Sequence, residues 1–451
     1  MDGSSVIWFR RDLRLADLPT LTSAAASSRQ SVALFVVDDR LLAASGAPRR
    51  TFLFRCLRAL DASLDGRLLV VRGDPAELVP LVAKRFGAAK VHVSADFAPY
   101  GEQRDAAVAA ALGPGIELMA TGSPYAVSPG RVVKADGTPY RVFTPFRRAW
   151  AEHGWRAPAK TSARTVGWLD PGGYRRRIDI PGDDDLGDAA LPDPGESGAV
   201  QRWRRFRDAD LAGYAGNRDR PDLDSTSRMS AYLKFGCIHP RTLLQGLGAS
   251  EGATALRDEL AWREFYADVL HHRPETAREN YNHKFDAITY DNGKQAEKHF
   301  TAWCSGHTGY PIVDAGMRQL IAEGWMHNRL RMITASFLTK DLHLPWWWGA
   351  RHFMRHLIDG DLASNQHGWQ WTAGSGTDAA PYFRVFNPTT QGEKFDPHGD
   401  YVRRWVPELR GVPGKKVHAL PDGPPAGYPA PLVDHKHERE IALQRYAALG
   451  S

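Results

Sequence analysis

Between residues 359 and 396 the chain reads DGDLASNQHGWQWTAGSGTDAAPYFRVFNPTTQGEKFD, a run whose residue types suit ligand chemistry better than core filling. A core helix would place aliphatic side chains at helical spacing. Here Trp369, Trp371, Tyr382, Phe383 and Phe386 stand among glycines, amides, carboxylates and basic groups. Aromatics stack on flat ligands, small residues let the backbone approach, and polar groups orient them. If the run is helical, Trp369 and Trp371 point roughly 200° apart and serve opposite faces. The bland reading, an irregular aromatic loop buried for packing, has no aliphatic pattern to support it.

Two further stretches carry chemistry at helical spacing. Glu259, Trp262, Arg263 and Tyr266 fall at i, i+3, i+4 and i+7, so one face holds a carboxylate, an indole, a guanidinium and a phenol. The spacing also places Trp325, Asn328, Arg329 and Met332 on one helical face, with Arg331 on the next row. An amide beside arginines could hold a planar heterocycle or phosphates. Ser225, Thr226, Ser227, Arg228 and Ser230 precede a short helical run, where hydroxyls can cap N–H groups or, with an arginine, take a phosphate. His352 and His356 share a face but lack a third ligand at zinc spacing, so they read as an ordinary helix surface and no metal is expected. His271 and His272 before Pro274 read as a helix end.

The elements that must position these groups divide the chain. Val6–Phe9, Val32–Val37, Arg67–Val71 and Lys90–Val93 are short apolar runs separated by helical stretches such as Arg49–Leu64 and Pro75–Phe86. That alternation predicts a parallel, Rossmann-like α/β sheet, whose ligands bind beyond the carboxyl ends of the strands. Phe9-Arg10-Arg11-Asp12 replaces a glycine-rich dinucleotide fingerprint after the first strand. From Gly154 to Val200 the composition turns to Pro, Gly, Asp and Arg, a long connection over the surface. From Trp203 to about Leu362 the periodicity is helical. The expected division is an α/β domain at 1–128, a linker at 129–200 and an all-α domain at 201–451.

Composition narrows the function classes. Three cysteines, far apart among 451 residues, exclude a disulfide framework and a four-thiolate cluster, and with no secretory signal they point to a cytoplasmic protein. No apolar run approaches the roughly 20 residues of a membrane span. A net charge of +6 with 14 tryptophans suits a polyanion bearing flat bases.

Together these motifs resemble the DNA photolyase/cryptochrome family, most of all class I photolyases that repair cyclobutane pyrimidine dimers. The matching segments run nearly end to end: WFRRDLRLAD at 8–17, TSRMS at 226–230, ELAWREFY at 259–266, TGYPIVDAGMRQL at 308–320, WMHNRLRM at 325–332 and the 359–396 run. The resemblance implies an antenna domain and a helical domain holding folded FAD. It gives Tyr214, Thr226, Ser227, Arg228, Met229 and Ser230 the FAD phosphates. Glu259, Trp262, Arg263, Asn328, Arg331, Asp359, Asp361 and Asn365 would surround the cofactor, with Arg331 pairing Asp359. Asn365 would face the flavin N5, its amide switching between donor and acceptor.

It also implies a substrate, UV-damaged DNA bound without sequence preference by a monomer, with the dimer flipped out. Glu259 would bond the pyrimidine edge, Trp262 and Trp371 would stack on the bases, Asn328 would reach a carbonyl and Met332 would line the pocket. Arg218, Arg329 and Arg384 would meet DNA phosphates. Electrons for reducing resting flavin would pass through Trp369 and Trp346. Tyr290 stands where the family has its outermost tryptophan, which leaves the last donor as Tyr290 or a neighbouring Trp. Tyr100 is followed by Gly101 and not by the glutamate of folate-binding members, so the antenna is expected to be 8-hydroxy-5-deazaflavin, with FMN or methenyltetrahydrofolate as alternatives. Leu18, where the opening motif often has Asn, has no assigned consequence. A signalling cryptochrome is the alternative; it would usually carry a C-terminal tail and a replacement at Asn365.

Overall fold

The computed structural model describes residues 3–379, 381 and 384–450. Tyr382 and Phe383 lie outside the described residues. The chain forms two compact units, the first of residues 1–186, 191–209 and 227–274, the second of 187–190, 210–226 and 275–451. The units therefore divide elsewhere than at the sequence-based boundaries, because residues 227–274 group with the amino-terminal unit.

The first unit is built on a parallel sheet, as its apolar runs predict. Strands β1 (Ser4–Phe9), β2 (Gln30–Val37), β3 (Leu68–Arg72), β4 (Ala88–Val93) and β5 (Glu117–Ala120) lie in the order β3-β2-β1-β4-β5, and β6 (Gly167–Trp168) pairs with β2. Val6 lies opposite Val32 on one side and Val91 on the other. Strands covered on both faces are apolar at nearly every position; β1 is buried from Ser5 to Phe9, and its buried polar residue, Ser5, meets the Ser28 and Ser31 hydroxyls at 2.8 Å. β5 and β6 were not anticipated; β5 is partly exposed and β6 spans only two residues. The order reverses at β1, which places the switch-point crevice at the ends of β1 and β4.

The expected linker contributes to this unit. The Phe143–His153 helix buries Phe143, Phe146 and Trp150, at i, i+3 and i+7, against the Glu251–His272 helix. Ser250 caps that second helix by accepting from Ala253 N at 3.2 Å, and it ends at His272 as read from the sequence. Its buried Glu264 accepts from the backbone N–H of Ala126 and of Val127 and from the Trp150 indole at 2.6 Å. Asp268, one turn on, accepts from Gly130 N at 2.7 Å. Two buried carboxylates thus fix the helix whose other face carries Glu259 and Trp262.

Every regular element among the second unit's described residues is a helix. Trp303, Met317, Leu330, Trp346, Phe353 and Trp369 belong to one buried cluster. Gly349 is required there, because a Cβ would fall 2.1 Å from the Trp369 ring. The Leu362–Ala373 helix is clamped along its inner face. Gln366 Nε2 donates to Ala277 O at 2.7 Å, Thr276 Oγ1 meets His367 Nε2 at 2.9 Å, and Gln370 Nε2 donates to Thr276 O at 2.8 Å. Gln370 Oε1 also accepts from Tyr281 N at 2.8 Å. His352 and His356 are half-buried rather than on an open surface; Phe300 and Trp303 lie edge-on to His352, and burial lowers its pKa to about 3. No described helix is long and apolar enough to cross a membrane.

Candidate cofactor and DNA site

In the first unit, Ser227, Arg228, Met229 and Ser230 form a turn before the Ser230–Phe235 helix. Arg228 is left-handed, with φ 51°, and Met229 follows in the right-handed region at φ −78° and ψ −8°. Alternating hands turn successive N–H groups toward one concavity, a backbone nest suited to an anion. The hydroxyls do not cap the helix: Met229 occupies the cap position and no side chain bonds there. Ser227 Oγ instead accepts from Met229 N at 3.4 Å, and its carbonyl accepts from Arg202 Nε at 3.0 Å.

The stripe on the Glu251–His272 helix has the predicted form. Glu259, Trp262, Arg263 and Tyr266 are all half-buried on one side. Phe143 stacks on one face of Trp262, with centroids 3.6 Å apart and planes 9° from parallel. A stacked aromatic fixes the plane of the indole. Arg263 is held by the carbonyls of Pro124 at 3.1 Å and Leu233 at 3.3 Å, with its guanidinium over Tyr125. In that arrangement it braces the stripe.

At the ends of β1 and β4, Arg10 pairs with Asp105, Arg104 with Asp96 at 3.2 Å and Arg11 with Asp96 at 3.6 Å. Gly101 matters here, because a Cβ would lie 2.3 Å from the Asp96 carboxyl carbon. The preceding residue, Tyr100, donates its hydroxyl to Asp38. The crevice between Arg10, Asp12, Ser94, Asp96 and Pro124 measures about 10 Å³. That is room for one water and not for a ring system.

In the second unit the 359–365 stretch collects most of the expected groups. Arg331 donates to Asp359 Oδ2 at 2.8 Å and to Met326 O at 2.8 Å. Asp359 is buried, and its other oxygen, Oδ1, meets no partner among the described residues. Asp361 caps the Leu362–Ala373 helix by accepting from Ser364 N at 3.1 Å. Asn365 donates both amide hydrogens, to Ala350 O at 3.1 Å and to Gln366 Oε1 at 2.8 Å.

Backbone carbonyls at both ends settle how these amides point. Ala350 O and Ala277 O can only accept, so each faces an NH2 group. Asn365 Oδ1 is therefore the atom left over, a fixed acceptor. The expectation that this amide switches roles is corrected: both hydrogens are already engaged. Ser225 Oγ is likewise buried without a partner among the described residues.

A second correction concerns Trp325. The helix begins at Asn328, capped by His327 Nδ1 accepting from Arg329 N at 3.1 Å, so Trp325 precedes it and shares no helical face with Asn328. The reason is Gly324, left-handed at the end of the previous helix, which forces a break before His327. Asn328 is exposed, and its Nδ2 lies 3.9 Å from Met332 Sδ. Arg329 pairs with Asp219 at 2.8 Å and lies over Phe395. Tyr214 is buried, Thr226 and Arg218 are half-buried, and Arg384 is exposed.

Along the helix, Trp369 is buried in the cluster while Trp371 is half-buried, two sides as the spacing predicts. Trp346 Nε1 donates to Asn280 Oδ1 at 2.9 Å. Trp347 packs edge-on to Trp346 at 5.9 Å and to Tyr290 at 5.3 Å. Burial raises the Tyr290 phenol above its ordinary pKa.

Comparison with known proteins decides the family. Residues 5–163 match the model described as DNA photolyase, and residues 256–448 match the FAD binding domain of DNA photolyase. A deoxyribodipyrimidine photo-lyase from Streptomyces griseus is 42% identical, over 95% of this chain and 96% of its own. One from Synechococcus is 40% identical, over 96% and 94%. The chain belongs to the DNA photolyase/cryptochrome family. Among solved members of that family, a class III photolyase from Agrobacterium tumefaciens has 37% identity and a TM-score of 0.91, covering 100% of this chain and 98% of its own. An archaeal photolyase from Sulfolobus tokodaii, described with two FAD molecules, is 29% identical with a TM-score of 0.85, covering 99% and 100%.

Several residues that the second unit brings to these groups were not anticipated from the sequence. Gln366 gave no signal, being one amide beside another. Asp219 lies far in sequence from the arginine it pairs with. Trp347 did have a signal, the triple tryptophan at 346–348.

Proposed function

We propose that this chain is a deoxyribodipyrimidine photo-lyase, class I by its motifs, which binds FAD and uses blue light to split cyclobutane pyrimidine dimers in DNA. The observation that carries the reading is the pair of open acceptors, Asp359 Oδ1 and Asn365 Oδ1, at the start of the Leu362–Ala373 helix. A reduced isoalloxazine presents N–H donors that fit both. The nest at Arg228 and the open Ser225 hydroxyl fit phosphate oxygens, as would Tyr214, Thr226, Ser227, Met229 and Ser230. FAD, when bound and reduced, would supply light-driven one-electron chemistry for splitting the dimer.

The chain's own residues place and stabilise. Arg331 pairs with Asp359 and holds it aimed, and Asp361 sets the start of the helix that carries Asn365. Glu259 bonds the pyrimidine edge and stabilises charge on the dimer. Trp262, its plane set by Phe143, and Trp371 stack on the two bases; Asn328 reaches a carbonyl and Met332 lines the pocket. Arg218, Arg329 and Arg384 take phosphates, so binding is salt-sensitive and independent of sequence. Trp369 and Trp346 carry electrons inward from an outer donor that is either Tyr290 or a neighbouring tryptophan. On this reading 1–128 is the antenna domain, 129–200 the connection and 201–451 the catalytic domain of a cytoplasmic monomer. The preference for 8-hydroxy-5-deazaflavin over FMN or methenyltetrahydrofolate rests on Gly101 alone. The strand-end crevice, at about 10 Å³, is smaller than any of these rings.

The test uses FAD-loaded, reduced protein and an oligonucleotide with one thymine cyclobutane dimer. Blue light should restore the two thymines and darkness should not. Equal recovery in both, or none in either, sinks the proposal.

A further inference from the structure

Resting on the FAD reading above, the aromatic geometry points to Trp347, and not Tyr290, as the last electron donor when resting flavin is photoreduced. Trp346 is fully buried and its indole N–H is committed to Asn280, so an oxidised Trp346 holds its proton and must be refilled by a neighbour. Two aromatics extend outward from it. Trp347 touches Trp346 directly, edge to face at 5.9 Å and 84°. Tyr290 meets Trp347, at 5.3 Å and 80°. Along this line of contacts, Trp347 is reached first.

The two differ in what becomes of the proton. An indole can be oxidised first and lose its N–H proton afterwards, whereas a phenol at neutral pH must lose its proton as the electron leaves. Trp347 is half-buried and its indole N–H bonds no protein atom among the described residues, so water can take that proton. Tyr290 is also half-buried, but it has no hydrogen-bonded base among the described residues to accept its proton, and burial makes the phenol a weaker acid.

The step balances as follows. Trp369 loses one electron to light-excited oxidised FAD, and the vacancy passes to Trp346. One electron then moves from Trp347 to oxidised Trp346, and the Trp347 indole proton leaves to water. A thiol in the medium returns one electron to Trp347, with a proton from water.

A second aromatic branch exists and makes the test sharper. Trp303 lies edge-on to Trp369 at 6.0 Å, and Phe300 links Trp303 to Trp348 at 5.9 Å and 5.2 Å. Full-length protein loaded with FAD is illuminated with blue light and a thiol, and flavin reduction is followed for wild type, Trp347→Phe, Tyr290→Phe and Trp348→Phe. FAD content is measured first; a wild type that takes up no FAD refutes the cofactor reading and not this one. Trp347→Phe should lose most of its photoreduction, while Tyr290→Phe and Trp348→Phe keep it. Transient absorption of the wild type, which needs no variant to fold, should record a neutral indole radical as the long-lived species. A phenoxyl radical in its place, or photoreduction lost in Tyr290→Phe or Trp348→Phe but kept in Trp347→Phe, overturns the inference.

Discussion

Replacing Gln366 by leucine tests whether the second unit fixes Asn365 as an acceptor. In the native arrangement Asn365 gives its hydrogens to Ala350 O at 3.1 Å and Gln366 Oε1 at 2.8 Å. Turning the amide over forfeits both bonds, at about 1 kcal/mol each, and sets oxygen against oxygen. The turned form is therefore a few per cent at most on the tenfold-per-1.4 kcal/mol scale. Leucine removes one of the two restraints. Oxidised flavin, whose N5 only accepts, could then draw the amide N–H toward itself and gain about 1 kcal/mol. Reduced flavin, which carries a proton on N5, gains nothing from the turn. That gain offsets the one bond still lost, at Ala350 O, so in the oxidised state alone the two orientations come into balance. Two equal orientations favour that state by about 0.4 kcal/mol, and for a two-electron couple the midpoint potential should fall by about 10 mV. The assay is a spectroelectrochemical titration of FAD-loaded wild type, Gln366→Leu and Gln370→Leu. Gln370 clamps the same 276–281 segment without touching Asn365, so its variant should keep the wild-type potential. An unchanged or raised potential in Gln366→Leu, or an equal fall in both variants, refutes the reasoning.

Three other perturbations have definite outcomes. Glu264→Leu leaves the Ala126 and Val127 N–H groups and the Trp150 indole without an acceptor; at about 1–3 kcal/mol for each stranded donor, urea unfolding should show a loss of several kcal/mol, with Glu264→Gln losing less. Burial lowers the His367 pKa to about 4. The unfolded state then takes up its proton first as the pH falls below 6.5, and about 2 kcal/mol should disappear between pH 7 and pH 5. The thermal midpoint of His367→Gln should lack that part of the acid slope. Asp219→Asn frees Arg329 from its partner and should tighten DNA binding at low salt by a few-fold, since a partly exposed pair contributes about 0–1 kcal/mol; weaker binding in a titration would count against Arg329 as a phosphate contact.

What could be read from the sequence follows how directly a side chain reports its surroundings. β1 and β2 were legible because strands covered on both faces leave few positions for polar residues, here the paired Ser5 and Ser31. β5 was not, being partly exposed, and β6 is too short to carry a pattern. The Phe143–His153 helix sat in a stretch taken for linker, although Phe143, Phe146 and Trp150 have helical spacing. Glu264 and Asp268 were hidden because carboxylates on a helix are ordinarily exposed, and only folding supplies the backbone donors that make burial tolerable. The chemistry-bearing stripe at Glu259–Tyr266 was legible, since Trp and Tyr beside charges are uncommon on an ordinary face. The Trp325 stripe failed because periodicity was carried through a glycine that ends a helix. Asn365 was visible as a site residue, but its orientation depends on Gln366 and two carbonyls brought together only in three dimensions.

The central claim is that light and Glu259 act together on a bound dimer. It is tested most directly by the blue-light repair yield of wild type and Glu259→Ala on a single-dimer oligonucleotide, with bound FAD and bound DNA measured in the same samples. The account predicts repair in the wild type only under light. It also predicts a clearly lower yield in Glu259→Ala at unchanged FAD content, after correction for DNA occupancy. A wild type that binds FAD and dimer yet repairs nothing under light would contradict it, as would a Glu259→Ala variant that repairs as well as the wild type.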